Sequence, residues 1–293
     1  MGLFGASIGY TFEFWKENFS KIFLYQLLFL GLYILSLFVV IAGVAFLFFV
    51  SYPLSLIPLA ILGGAGLILL LIFNYVQLAG YSLLVKRARE RKKIEVVEIF
   101  KECFKKSHKI LAVGLLQSLP MIILGVFTAI VVFVWLFPLI DRTLPVSSFG
   151  APTTGVAILP VLRPTSMAIF PKIPSVLPYL ILFGIFLFIV AWYFSLRVWL
   201  SLPVFMLEGK GCVESVKESW RITKGKIWSS FFTIIIMGLI VGTIEAIVEL
   251  PFNAFGIPFI GQIITYLVFA PLSLILPTAY YYAIKMEGRK KQE

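Results

Sequence analysis

Charge is what this chain lacks most. Only 13% of its 293 residues are Asp, Glu, Lys or Arg, while 60% are hydrophobic, with 29 Phe among them. Soluble domains carry roughly 25% charged and 45–50% apolar residues. Histidine occurs once, at His108, and cysteine twice, at Cys103 and Cys212 in separate charged segments. A zinc centre needs a denser set of such ligands, so no metal site and no cofactor are expected. Asn (3) and Gln (5) are scarce too, a depletion found in thermophile proteins that a membrane composition also produces. No GxxxxGK[ST] phosphate loop occurs, and no GxSxG nucleophile elbow leading into a helix is read. Catalysis by this chain alone is not expected.

What is present in place of charge is long apolar sequence. Ile22 to Val85 holds no charged residue, nor do Ile110–Ile140, Ile173–Leu196, Ile227–Ile244 and Pro251–Ile284. About 20 apolar residues cross the hydrocarbon core, so the first run contains two spans, divided near Ser51-Tyr52-Pro53, and the total is six. They are placed at about 22–49, 56–85, 110–138, 176–203, 227–249 and 258–284. Without water to satisfy backbone groups, they are expected to be helices. The first is longer than the roughly 7–15 apolar residues of a signal peptide and runs straight into the second, so it is read as uncleaved. The expectation is an all-α, polytopic membrane protein.

The few charges are segregated. Of 25 Lys and Arg, 21 lie before the first span, between the second and third, between the fourth and fifth, or after the sixth. Only Arg142, Arg163 and Lys172 fall in loops of the other side, and Arg197 lies within a span. The positive-inside rule then places both termini in the cytosol, with the cell membrane as the expected location. The net charge of +11 would face anionic lipid headgroups, at about 1 kcal/mol per basic residue near the surface. Membrane lipids, or a protein partner, are what this implies. Nucleic acid is not, because topology already accounts for the basic residues.

Three segments share one frame: Glu13-Phe-Trp-Lys16-Glu17-Asn-Phe19, Glu98-Ile-Phe-Lys101-Glu102-Cys-Phe104 and Glu214-Ser-Val-Lys217-Glu218-Ser-Trp220. Each is followed by Lys-Ile and a membrane span. The chain therefore reads as one membrane domain of three parallel two-helix repeats (11–92, 95–208 with an outer loop at 141–174, and 211–288), each preceded by a cytosolic interfacial helix. On a helix, Val213, Val216, Trp220 and Thr223 form an apolar stripe, as do Val97, Phe100 and Phe104, or Phe12, Trp15 and Phe19. The opposite faces carry candidate headgroup- or partner-binding residues: Glu13, Lys16, Glu17, Glu98, Lys101, Glu102, Glu214, Lys217, Glu218 and Arg221.

Polar residues inside spans are costly and are functional candidates by default. Gln26, Asn74, Gln77, Gln117 and Arg197 lie within roughly 6–17 Å of the charged side, counted along the helices, and are candidates for a vestibule open to the cytosol. Glu245 and Glu249, roughly 27–33 Å from the start of the fifth span, are a candidate outer ion site.

The segment from Leu207-Glu-Gly-Lys-Gly through Glu214-Ser-Val-Lys-Glu-Ser-Trp220 to Thr223-Lys-Gly-Lys-Ile-Trp228 resembles a signature of bacterial and archaeal six-span proteins. That group includes YciC-like proteins and the membrane domain of some glycerophosphodiester phosphodiesterases. No hydrophilic stretch is long enough for a soluble phosphodiesterase domain, so the resemblance implies the membrane module alone and a link to lipids. Two functions are weighed. One is a non-enzymatic lipid-interacting, scaffold or regulatory module. The other is a transporter or permease whose vestibule is the access site, which predicts open space at Gln77, Gln117 and Arg197.

Overall fold

The computed structural model describes residues 2–49, 59–143 and 173–290. The turn expected near Ser51-Tyr52-Pro53 and most of the outer loop lie outside them. Among the described residues every element is a helix. In order they are α1 (Leu3–Glu17), α2 (Phe19–Phe49), α3 (Gly64–Arg89, entered through a π-helical turn at Leu59–Gly63), α4 (Val96–Lys105), α5 (Ser107–Thr143), α6 (Ile173–Val198), α7 (Ser201–Glu208), α8 (Cys212–Thr223), α9 (Ile227–Ala254), α10 (Pro258–Val268) and α11 (Ala270–Lys290).

Among the described residues six stretches are long and apolar enough to cross a membrane: Phe19–Ala42, Ile61–Arg89, Ser107–Ile130, Ile181–Glu208, Ile227–Ala254 and Pro258–Gly288. Their outward faces carry large apolar side chains in the open, with Phe38 65%, Ile61 63% and Leu182 63% exposed. Such a surface is stable only against hydrocarbon. The protein is a multi-pass membrane protein.

The chain divides into two compact units, residues 1–117 with 196–293, and residues 118–195. The smaller unit is apolar, and Leu119, Ile123 and Phe127 of α5 and Phe183, Leu187 and Phe194 of α6 line a cavity of about 510 Å³.

In the larger unit α3, α7 and α11 pack pairwise against one another. Ser82 and Thr278 share a hydrogen bond (2.9 Å) between α3 and α11, Lys86 Nζ donates to Leu207 O (3.2 Å) between α3 and α7, and Tyr281 of α11 donates to Glu208 of α7. Tyr81, Leu84, Leu202 and Ile275 are wholly buried there. The short helices surround this centre: α1 packs on α11, α4 on α3 and α8 on α7. Close approach uses small residues, as expected where lipid tails are as apolar as the helix faces. Gly80 of α3 lies so near α2 that an added Cβ would overlap the buried Tyr25 hydroxyl.

Two spans expected to be continuous are broken. The fourth stops at Val198 and resumes at Ser201. Pro203 has no N–H to give Trp199 O, and Gln117 Nε2 supplies one (3.3 Å). The sixth breaks at Phe269, ahead of Pro271. There Leu272 N–H turns to Phe269 O (3.0 Å), Val268 O takes the indole N–H of Trp15 (2.9 Å), and Tyr266 O takes Gln26 Nε2 (3.0 Å).

The stripes assigned to the short helices also need correction. In α8 the inward face is Ser215, Ser219 and Thr223, all fully buried, while Val213 is exposed. Ser219 Oγ donates to Arg197 O (2.8 Å). In α4 the inward residues are Val96, Ile99 and Cys103, with Val97 and Phe104 exposed, and in α1 they are Ser7, Thr11 and Phe14. In α8, and in part of α1, small residues let the helix approach closely, which the apolar stripe, a rule for water-soluble surfaces, does not anticipate; in α4 the inward face is still apolar, but it is set by Val96, Ile99 and Cys103.

Candidate functional site

Two clusters of polar side chains are built by this fold, one inside it and one at its charged end. The inner cluster joins α2, α3 and α10. Gln26 Oε1 accepts from Gln77 Nε2 (2.7 Å) and from Tyr81 OH (2.6 Å), while Gln26 Nε2 donates to Tyr266 O. Gln77 Oε1 accepts from Tyr33 OH (2.9 Å), and Gln77 Nε2 also donates to Tyr266 OH (3.2 Å). Gln26 is 0% and Gln77 4% exposed. Each amide atom has a partner inside the fold, the condition for burying an amide without large loss.

Of the five vestibule residues, the structure brings together Gln26 and Gln77. Asn74 is exposed, Gln117 serves Trp199 O, and Arg197 is buried with its guanidinium 5.1 Å over the Trp220 ring. Sequence reasoning missed Tyr33, Tyr81 and Tyr266, whose hydroxyls close the network. The signal was an in-span glutamine flanked by aromatic residues.

At the charged end the three repeated frames repeat their burial. Glu13, Glu98 and Glu214 are exposed, as are Lys16, Lys101 and Lys217. The residue after the first Glu (Phe14, Ile99, Ser215) is buried each time, and the next (Trp15, Phe100, Val216) is half-buried. The carboxylates form separate clusters. Arg87 pairs with Glu98 (3.0 Å) and Glu102 (3.4 Å), and Lys106 with Glu102 (3.1 Å). Glu218 binds Arg221 (2.7 Å) and Lys210 (3.2 Å). Glu208 binds Lys210 (2.6 Å) and Lys285 (2.7 Å). Glu214 accepts from Gly211 N–H (3.2 Å) at the start of α8. Burial opposes the charge of Glu218, but hydrogen bonds from Arg221 and Lys210 outweigh it and hold the carboxyl below its usual range. Glu17 is exposed on α1.

Of the proposed outer pair, Glu249 accepts from Thr265 Oγ1 (3.0 Å), joining α9 to α10, and Glu245 is half-buried one turn earlier. No group of three or more His, Cys, Asp or Glu able to hold a metal occurs among the described residues. Gly5-Ala6-Ser7-Ile8-Gly9 does spell the GxSxG pattern that the sequence reading passed over. It lies within α1, not at a strand-to-helix turn, and Ser7 is wholly buried with its hydroxyl on Phe4 O (2.9 Å), out of reach of a substrate.

Sequence reasoning also missed Lys106, Lys109, Lys210 and Cys212, which line one cavity near the junction of α4 and α5, opposite the start of α8. They lie outside the repeated frame, which is why the frame did not mark them.

Compared with known proteins, residues 175–286 match the family model of the membrane domain of glycerophosphoryl diester phosphodiesterase. The match runs from α6 into α11 and contains the 207–228 segment that carries the resemblance. No curated protein and no solved structure matches the chain.

Proposed function

Starting from the similarity of residues 175–286 to a phosphodiesterase membrane domain, we propose that this protein is a non-enzymatic membrane module whose basic cytosolic rim engages anionic phospholipid. Along the chain it reads as three quasi-equivalent units, each a short amphipathic helix followed by a hairpin of spans. Both termini are cytosolic and the membrane is the plasma membrane.

The observation that carries this reading is the threefold recurrence of one exposure pattern. Three short helices present Glu and Lys outward at matching positions, and each packs on the helix that ends the preceding unit, α1 on α11, α4 on α3 and α8 on α7. Such a ring suits a collar at headgroup level, where outward Val97, Phe104 and Val213 can enter the acyl boundary while Lys16, Lys101, Lys217 and Arg221 meet phosphates. The mutual saturation of Gln26 and Gln77 weighs against a solvated pathway there.

Native mass spectrometry of the purified protein tests the proposal. Retained anionic phospholipid, reduced when Lys16, Lys101 and Lys217 are changed together to Gln, is expected. Absence of retained phospholipid, with solute uptake by proteoliposomes that Gln77→Leu abolishes, would overturn it in favour of a transporter.

A further inference from the structure

We propose that a pocket lined by Lys106, Lys109 and Lys210 is a discrete binding site for the phosphate of a phosphoester headgroup. This rests on the lipid-engaging reading above and gives it a specific locus. The cavity is about 300 Å³ and is walled by the three lysines, Gly209, Gly211, Cys212, Phe205 and Met206. All its charged lining residues are cations, and no carboxylate lines it.

Local sequence builds it. Lys106 caps α4 and Lys109 follows in the first turn of α5. Gly209 ends α7 in the left-handed region (φ +68°), which turns the chain back so that Lys210 and the start of α8 face those lysines. The Cys212 thiol donates to Lys109 O (3.7 Å) and ties the two walls. Glu102, Glu208 and Glu218 hold Lys106 and Lys210 from outside the lining. Among the described residues no carboxylate pairs with Lys109, which is exposed.

The neighbouring charged cavity shows what distinguishes this one. At the α3–α4 junction a space of about 400 Å³ is lined by Lys86, Arg87, Lys92 and Lys93, but also by Glu90, Glu98 and Glu102, so its cations already face carboxylates. In the lysine pocket the carboxylates that pair with Lys106 and Lys210 stand outside the lining, and among the described residues Lys109 pairs with none. It also has an apolar floor, Phe205 and Met206, each under 10% exposed. It lies where the third span begins, at Ser107, and the fourth ends, at Glu208. That is headgroup depth, where a phosphate meets ammonium groups and the adjoining glycerol and acyl carbons meet the floor.

Cys212 supplies a reporter, because Cys103 is wholly buried and burial pushes its thiol up to about 12, which leaves it unreactive. In neutral detergent, maleimide labelling of Cys212 is timed with added phosphatidylglycerol, phosphatidylcholine or inorganic phosphate. Phosphatidylglycerol should slow labelling, and Lys109→Gln should raise the amount needed for half-protection about fivefold. Native mass spectrometry should show one fewer tightly held phosphatidylglycerol in Lys106→Gln/Lys109→Gln, which gives a readout independent of the thiol. Lysine-dependent protection by inorganic phosphate equal to that by phosphatidylglycerol would support the site and assign it a soluble phosphoester. Equal protection by phosphatidylcholine, or a lipid count and protection untouched by these substitutions, would overturn it. Anionic lipid retained by the protein in that case would leave the broader lipid-engaging reading standing.

Discussion

Replacing Gln26 by Leu tests whether the interior is a closed polar joint or a water-filled vestibule. The change keeps the side chain's approximate length and volume and removes three hydrogen bonds: those received from Gln77 (2.7 Å) and Tyr81 (2.6 Å) and the one given to Tyr266 O (3.0 Å). Interhelical hydrogen bonds in membrane proteins contribute about 0.6 kcal/mol on average and up to about 1.7. Three of them put the loss at about 2 to 5 kcal/mol, with the upper part of that range favoured because Gln77 and Tyr81 are left buried with fewer partners. Unfolding in mixed micelles of increasing sodium dodecyl sulfate measures this directly. A cycle with Gln77→Leu should return a coupling of about 0.6 to 1.7 kcal/mol for the shared bond. If Gln26→Leu is neutral within about 0.5 kcal/mol and the coupling vanishes, water must replace the lost partners, and the argument for a closed joint fails.

Trp15→Phe keeps a ring against Phe269, whose centroid is 6.3 Å away, but strips Val268 O of its donor; a loss of about 1 kcal/mol in the same unfolding assay is expected, and none if the broken sixth span needs no support from α1. Gly80→Ala drives a methyl into the Tyr25 hydroxyl; overpacking of this kind costs about 1–3 kcal/mol, and a variant as stable as the parent would show that α2 and α3 do not touch there. Acid should weaken the rim. Because the Glu218 carboxyl is held below its unfolded value of 4.5, its contribution is fully present above about that pH and is lost as pH falls through the lower, folded value. Thermal stability measured from pH 7 to 3 should therefore decline at the acid end, and Glu218→Gln should flatten that decline; an unchanged slope would refute the assignment.

The spans are legible in the sequence because a hydrocarbon solvent demands about 20 apolar residues per crossing, and the uncharged runs satisfy this without help from tertiary structure. Their interruptions are legible only in part. Pro203 and Pro271 announce missing N–H groups, yet which side chains answer them depends on partners far along the chain. Gln117, which answers Pro203, is 82 residues from Trp199, and Trp15, which serves Val268 O after the Leu272 N–H has turned to Phe269 O, is 253 residues from it. Helix α8 misled for a physical reason. An apolar stripe marks the inward face when the alternative is water, but beside lipid both faces can be apolar, and closeness of approach decides. Ser215, Ser219 and Thr223 therefore turn in, and Val213 turns out.

The same solvent argument bears on where function resides. Inside the larger unit, the amides of Gln26 and Gln77 find partners within the protein, so that cluster has little polar capacity left to recognise a ligand, whereas Gln117 Oε1 and Trp199 Nε1 are buried without a hydrogen-bond partner among the described residues. At the charged end the carboxylates of Glu98, Glu102, Glu208 and Glu218 are committed to ion pairs. With 25 basic against 14 acidic residues in the chain, cations are left over, and in the sequence most of them border the ends of the spans. Under the proposed function, an anionic partner at that rim would meet Lys16, Lys101, Lys109 and Lys217, which are exposed, without opening the buried glutamine network. One placed among the buried glutamines would have to break several of that network's hydrogen bonds.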